Sequence, residues 1–62
     1  MTLTGYTKKY VNEIMEGKKT FEWVSTKTLY GDKVKNAFKS MVMEGEITTA
    51  DYEKYVGEPY VE

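Results

Sequence analysis

The sequence predicts a small, mostly α-helical domain of three or four helices that ends in a helical hairpin. A chain of 62 residues is long enough for one domain only. Apolar residues recur at helical spacing in three segments, and residues that begin or end helices flank them. We therefore expect residues 1–62 to form a single domain, with residues 58–62 as an extended tail.

The first predicted helix lies near the N-terminus. Its apolar positions follow a helical repeat, at Tyr6, Tyr10, Val11, Ile14 and Met15. Thr7 is the candidate N-cap, and Tyr6 and Val11 then occupy the positions of a hydrophobic staple. Gly17, followed by two lysines, predicts the end of the helix.

Residues 20–30 fit either a helix or a strand. Strand-prone residues alternate along the segment, at Phe21, Trp23, Thr26, Thr28 and Tyr30. The same residues fit a helix capped by Thr20, with Phe21, Val24 and Thr28 on one face. A strand would need a pairing partner and would change the fold class to α+β. Both alternatives are open from sequence.

The C-terminal hairpin begins with a helix that carries an apolar stripe, formed by Val34, Ala37, Phe38, Met41 and Val42. Asp32 is its candidate N-cap, and Gly45 is placed to end it.

The last helix is the best delimited. Thr48 and Asp51 have the spacing of a capping box, and Ile47 and Tyr52 occupy staple positions around it. The helix is predicted to run to about Val56 and to end at Gly57, two residues before Pro59.

Composition disfavours catalysis. The chain contains no Cys, His or Arg, which removes disulfides, the usual zinc ligands and the usual general base near neutral pH. Ser25 near Lys27 and Ser40 beside Lys39 resemble Ser–Lys pairs only superficially, because residues this close do not face each other on a helix. We expect no enzymatic activity, no cofactor and no metal site.

No targeting or membrane segment is expected either. The first residues lack the basic start and apolar run of a signal peptide, and no stretch approaches ~18 apolar residues. We expect a soluble protein.

Charge is divided along the chain. From Lys8 to Lys39, eight lysines accompany four acids, a net charge of +4; from Ser40 onward, one lysine accompanies six acids, a net charge of −5. We expect the two halves to attract each other within the fold. A nucleic-acid-binding face would use the lysines of the first part, chiefly Lys8, Lys9, Lys18, Lys19, Lys35 and Lys39, with Lys33 beside them. The near-neutral total and the lack of Arg disfavour that function.

Contact with another protein is the favoured function. One Trp and six Tyr are many aromatic residues for so small a core, and these residue types are enriched among interface anchors. Met43 falls on the polar side of its helix, and Tyr60 and Val61 lie beyond Pro59. The candidate contact residues are Trp23, Tyr30, Met43, Tyr55, Tyr60 and Val61.

The segment Val34–Tyr60 resembles the short phage and prophage proteins of the XkdX-like family. The residues that carry the resemblance are Val34, Phe38 and Val42, then Gly45, Ile47-Thr48, Asp51-Tyr52-Glu53 and Gly57-Glu58-Pro59-Tyr60. The resemblance implies a location among tail and tail-fibre genes, and hence a protein in the cytoplasm of a host cell or associated with a virion. It implies no activity and assigns no functional residue.

Three functions are compatible with these features. The first is a small structural or assembly factor, tail-associated, that forms an oligomer or binds a larger protein. The second is an inhibitor or regulator of a host protein, whose acidic half occupies a basic site. The third is a nucleic-acid binder that uses the lysine face.

Overall fold

The computed structural model describes residues 5–61, which form four helices and contain no strand. These helices are α1 (Gly5–Met15), α2 (Phe21–Lys27), α3 (Gly31–Met43) and α4 (Thr49–Val56). The predicted mostly α-helical fold, with a helical hairpin formed by α3 and α4, is confirmed. Residues 1–4 and residue 62, which belongs to the predicted tail, lie outside the described part of the chain.

Residues 20–30 form a helix rather than a strand. The Thr20 hydroxyl oxygen accepts a hydrogen bond from the Trp23 N–H at 3.1 Å, as expected for an N-cap. At the other end, the Thr28 hydroxyl donates to the Val24 carbonyl at 2.6 Å and accepts from the Tyr30 N–H at 3.1 Å. Because these local bonds satisfy the backbone at both ends of α2, the segment needs no partner strand.

Two predicted N-caps are wrong. Helix α1 begins at Gly5, so Thr7 lies inside its first turn and does not cap it. Helix α3 begins at Gly31 with Tyr30 as N-cap, which places Asp32 in the first turn. The Thr28 hydroxyl fixes the turn between α2 and α3, and α3 therefore starts earlier than expected. The Asp32 carboxylate still favours the helix, because it lies near the positive end of the helix dipole.

The predicted limits of α4 are confirmed. The Thr48 side chain accepts from the Asp51 N–H and the Asp51 carboxylate accepts from the Thr48 N–H, both at 3.1 Å, which completes the capping box. The helix ends before Gly57, which has a φ of 82°; Gly45 after α3 has a φ of 77°. Glycine adopts these left-handed conformations without the steric penalty of a side chain.

Helix α3 lies at the centre of the domain and packs against each of the other three helices. The buried apolar residues form one core, contributed by all four helices: Val11, Ile14, Val24, Val34, Ala37, Phe38, Met41, Tyr52 and Val56. The predicted stripe of α3 faces this core, with Val42 at its half-buried edge. Among residues 5–61 no helix has the length and apolar character needed to span a bilayer.

Tyr52 places a polar atom in the core. Its side chain is fully buried, and its hydroxyl has no hydrogen-bond partner among the described residues. Burial raises the pKa of the Tyr52 hydroxyl above its ordinary value, while Lys35 acts in the opposite direction. The buried hydroxyl without a hydrogen-bond partner lowers the stability of the folded domain, and ionisation of this hydroxyl would lower the stability further.

We expect Tyr52→Phe to raise the free energy of unfolding at pH 7 by about 1 kcal/mol, because it removes a buried hydroxyl that lacks a partner. Above about pH 10 Tyr52 ionises more readily in the unfolded chain than in the folded one, so the wild-type protein loses stability that the variant retains. Urea unfolding at pH 7 and pH 10.5 measures both effects. Tyr55→Phe, at a half-buried position, is the control. A Tyr52→Phe variant that is less stable than wild type at pH 7 would contradict the expectation.

Candidate protein-interaction surface

Four aromatic rings meet where α1, α2 and the start of α3 come together. Tyr10 is central: its ring centroid lies 6.1 Å from Tyr6, 6.3 Å from Trp23 and 5.8 Å from Tyr30. Tyr6 and Tyr30 also contact each other, with centroids 5.7 Å apart. Tyr6 is 55% exposed and Trp23 is 38% exposed, while Tyr10 and Tyr30 pack against the core, so the cluster extends from the core to the surface.

Three lysine ammonium groups lie over these rings. The distances from Nζ to the ring centroid are 4.9 Å for Lys19 on Trp23, 5.5 Å for Lys33 on Tyr30 and 5.7 Å for Lys9 on Tyr6. All are within the range of cation–π attraction, about 6 Å. We call this group of four rings and three lysines the aromatic–lysine surface.

Local structure positions each of these side chains. Tyr6 and Tyr10 are one helical turn apart on α1, so their rings stack on one face. Trp23 lies in the first turn of α2, which the Thr20 cap fixes. The Lys19 ammonium lies 3.6 Å from the Glu13 carboxylate as well as over Trp23, which holds it between α1 and α2.

A second concave surface lies between α3 and the C-terminal segment. It has a volume of about 350 Å³ and is lined by Lys39, Met43, Tyr60 and Val61, which we call the tail groove. Met43 is 78% exposed. The sequence predicted Met43 and the tail as a second contact surface, and in the structure Met43, Tyr60 and Val61 line one groove.

Two contacts hold the segment after α4 against the hairpin, one with α3 and one with α4. The Lys35 ammonium lies 2.9 Å from the Glu58 carboxylate, which raises the pKa of Lys35. The Tyr60 ring packs edge-on against Tyr52 with centroids 5.2 Å apart. Since the salt bridge is solvent-exposed, its contribution to stability is small. The buried Tyr52 is therefore the main anchor for this segment.

The predicted contact residues separate into these two surfaces, with one exception. Trp23 and Tyr30 belong to the aromatic–lysine surface, and Met43, Tyr60 and Val61 to the tail groove. Tyr55 stacks on Phe38 at 5.6 Å and lies between two open depressions of about 300 and 410 Å³.

The lysines proposed for nucleic acid have different surroundings. Lys9 and Lys19 lie over aromatic rings, Lys18 lies 3.9 Å from the Glu16 carboxylate, and Lys39 lines the tail groove. Lys35 is paired with Glu58, and Lys8 lies on α1 with its side chain exposed. Nucleic-acid binding by these lysines stays a prediction.

Sequence reasoning missed two features. It placed Tyr6 on the apolar repeat of α1, although the Tyr6 side chain is exposed; Tyr10, on the same repeat, packs against the core and also joins the cluster. It also passed over Leu29, which is 98% exposed between α2 and α3. An apolar residue in the connection between two helices indicates an exposed apolar side chain. Leu29 could not be placed in such a connection from the sequence, because residues 20–30 fitted either a helix or a strand.

Within residues 5–61, no group of three or more His, Cys, Asp or Glu side chains is arranged to hold a metal ion. Comparison of the chain with family models, with curated proteins and with solved structures finds no match.

Proposed function

We propose that this protein is a small, non-enzymatic phage or prophage-type protein that acts by binding another protein through its aromatic–lysine surface. The observation that carries the proposal is the exposure of Trp23 and Tyr6 beside lysines that their own rings hold in place. Trp and Tyr are the commonest anchors of protein interfaces, and positioned cations favour a partner with acidic groups.

The geometry favours protein over nucleic acid as the partner. Base stacking on a protein uses the open face of an aromatic ring. Lysine ammonium groups already lie over one face of Tyr6, Trp23 and Tyr30, so a base that stacks on that face would have to displace them. A carboxylate, in contrast, can approach the same lysines while they remain in place.

The phage setting rests on the resemblance of Val34–Tyr60 to XkdX-like proteins, and a tail-associated structural or assembly role follows from where such proteins are encoded. The identity of the neighbouring genes distinguishes this role from inhibition of a host protein. Tail genes beside this one support a structural role, whereas early or lysogeny genes support an inhibitor.

Substitution of Trp23 tests the proposed surface. We expect Trp23→Ala to weaken binding of the recovered partner at least tenfold, because a truncated aromatic anchor typically costs 2 kcal/mol or more. The partner is recovered with tagged wild-type protein from the native host, and its affinity is then measured with purified proteins. Circular dichroism confirms that the variant is folded.

Met43→Ala is the matched control, since it truncates an exposed apolar side chain in the tail groove. We expect it to change affinity less than twofold. Binding that survives Trp23→Ala but is lost in Met43→Ala would place the contact in the tail groove. Salt-sensitive binding of random duplex DNA, with no protein partner, would replace the proposal by the nucleic-acid alternative.

A further inference from the structure

The three lysines of the aromatic–lysine surface differ in their ionic surroundings. The Lys19 ammonium lies 3.6 Å from the Glu13 carboxylate. The ammonium groups of Lys9 and Lys33 lie over rings, and no carboxylate of residues 5–61 lies within salt-bridge distance of either one. A salt bridge therefore compensates the charge of Lys19 but not the charges of Lys9 and Lys33.

Glu13 holds Lys19 in place through its main chain and its side chain. The Glu13 carbonyl accepts hydrogen bonds from the N–H groups of Lys18 and Lys19, at 2.8 and 3.3 Å. The Glu13 side chain is 19% exposed, and its Oε1 atom is buried without a hydrogen-bond partner among the described residues. Lys19 thus compensates a largely buried carboxylate. Moving Lys19 away would leave that charge buried and unpaired, which is unfavourable.

Two exposed acids adjoin the surface in the sequence, Glu22 and Asp32, but consecutive helical residues do not face each other. Glu22 lines the depression between α2 and α4. The salt bridge with Glu58 and, less strongly, the charge of Asp32 raise the pKa of Lys35, so the Asp32 carboxylate lies within electrostatic range of that lysine. Neither acid forms a salt bridge with a lysine of the surface.

Lys9 and Lys33 lie beside adjoining rings, although they come from α1 and α3. Lys9 lies over Tyr6 and Lys33 over Tyr30, and the centroids of these two rings are 5.7 Å apart. Both rings also contact Tyr10. Two uncompensated cations and an exposed aromatic patch therefore share one part of the surface, where acidic and apolar groups of one segment can bind together.

We infer that Lys9 and Lys33 bind the acidic groups of the partner, whereas Lys19 is a positioning residue that keeps the Trp23 ring in place. This inference rests on the proposed function and names the chemistry that the surface recognises. The occupant is a peptide segment in which carboxylates flank an apolar side chain. The carboxylates pair with Lys9 and Lys33, and the apolar side chain covers the exposed rings of Tyr6 and Trp23.

Two synthetic peptides test the recognised chemistry. The acidic peptide is acetyl-Glu-Leu-Glu-Phe-Glu-amide, and the neutral peptide has glutamine in place of each glutamate. We expect NMR titration of the ¹⁵N-labelled full chain in about 20 mM NaCl to give a dissociation constant at least fivefold lower for the acidic peptide. In about 0.5 M NaCl the screening length falls to about 4 Å, and the difference should fall below about twofold.

Lysine-to-methionine variants identify the lysines that carry this preference, because methionine retains much of the apolar side chain and removes the charge. Lys9→Met with Lys33→Met should bind both peptides equally, whereas Lys19→Met should keep the preference. The control Lys18→Met with Lys39→Met loses the same charge outside the aromatic–lysine surface and should keep the preference within about twofold of wild type. Circular dichroism confirms that each variant is folded.

The emission of Trp23 tests the role of Glu13 without a ligand, since the chain contains one tryptophan. The Lys19 ammonium lies 4.9 Å from the indole ring, and a charge this close shifts the emission maximum. We expect Glu13→Gln to change the emission maximum of the wild-type protein and to lose most of that effect in the Lys19→Met background. Equal effects in both backgrounds would show that Glu13 does not act through Lys19.

The outcomes separate this inference from the proposed function. Loss of the acidic preference in Lys19→Met, or its retention in Lys9→Met with Lys33→Met, would overturn the assignment of the lysines. If the wild-type protein does not prefer the acidic peptide, the inferred chemistry is wrong, but a recovered partner sensitive to Trp23→Ala would still support the proposed function. Unchanged partner affinity in Trp23→Ala would count against the proposed function alone.

Discussion

Replacing Phe38 with alanine should lower the free energy of unfolding by about 3–5 kcal/mol. Phe38 is fully buried on α3, the helix that packs against all the others, and its ring stacks on Tyr55. Truncation leaves a cavity in the core, and the surrounding helices can relax into it only partially. A domain of 62 residues has a total stability of roughly 3–9 kcal/mol. We therefore expect a large unfolded fraction of Phe38→Ala at 25 °C.

Circular dichroism at 222 nm during urea titration measures this loss. Phe38→Leu is the control, because it keeps the site apolar and most of the volume, and its expected loss is below about 1.5 kcal/mol. If Phe38→Ala unfolds cooperatively at the wild-type urea midpoint, the packing of α3 at this position does not determine the stability of the domain.

The fold was predictable where short-range chemistry determines the backbone. The capping box of Thr48 and Asp51 and the glycine at position 57 act within a few residues, so α4 was correctly delimited. The same holds for the apolar stripe of α3, whose spacing defines the face that packs. The strand alternative for residues 20–30 survived in sequence because Phe21, Trp23 and Thr26 suit either structure. The Thr20 and Thr28 hydroxyl groups favour the helix.

The start of α3 depended on the Thr28 hydroxyl and on the contact between α2 and α3, and it was therefore misjudged. Asp32 is a better N-cap by residue type than Tyr30, which makes no side-chain capping bond. Helix α3 nevertheless starts at Gly31, which lies against Ser25 of α2. The sequence near Gly31 does not predict that α2 and α3 come into contact at this glycine.

Met43 and the tail were predicted as one contact surface, whereas the aromatic–lysine surface was predictable only residue by residue. Trp23 and Tyr30 were chosen because aromatic residues exceed what a small core needs, and Met43 because it falls on the polar side of α3. Their neighbours come from other helices: Tyr10 reaches Trp23 from α1, and Tyr60 reaches Met43 from beyond α4. Sequence spacing carries no information on such long-range neighbours when the helix packing is unknown.

Replacing Gly31 with alanine should produce the second large effect, a loss of about 1–3 kcal/mol. An added Cβ would lie 2.9 Å from both the Cα and the Cβ of Ser25. Backbone atoms cannot rotate away as a flexible side chain does, so α2 and α3 would have to separate. Because Trp23 lies on α2 and Tyr30 precedes α3, this movement would also disrupt the aromatic–lysine surface. We expect weaker partner binding in the folded fraction of Gly31→Ala.

Urea unfolding of a double-mutant cycle isolates this contact. Ser25→Gly removes the Cβ of Ser25 but leaves its Cα, which is the other atom that the added Cβ would meet. The double variant Gly31→Ala with Ser25→Gly should therefore recover only part of the stability that Gly31→Ala loses. Gly45→Ala provides the contrast, because its Cβ would meet nothing within 4 Å and its φ of 77° is the sole source of strain. That strain should cost about 1 kcal/mol and leave partner affinity unchanged. Equal affinities for Gly31→Ala and Gly45→Ala would show that the spacing of α2 and α3 does not determine the aromatic–lysine surface.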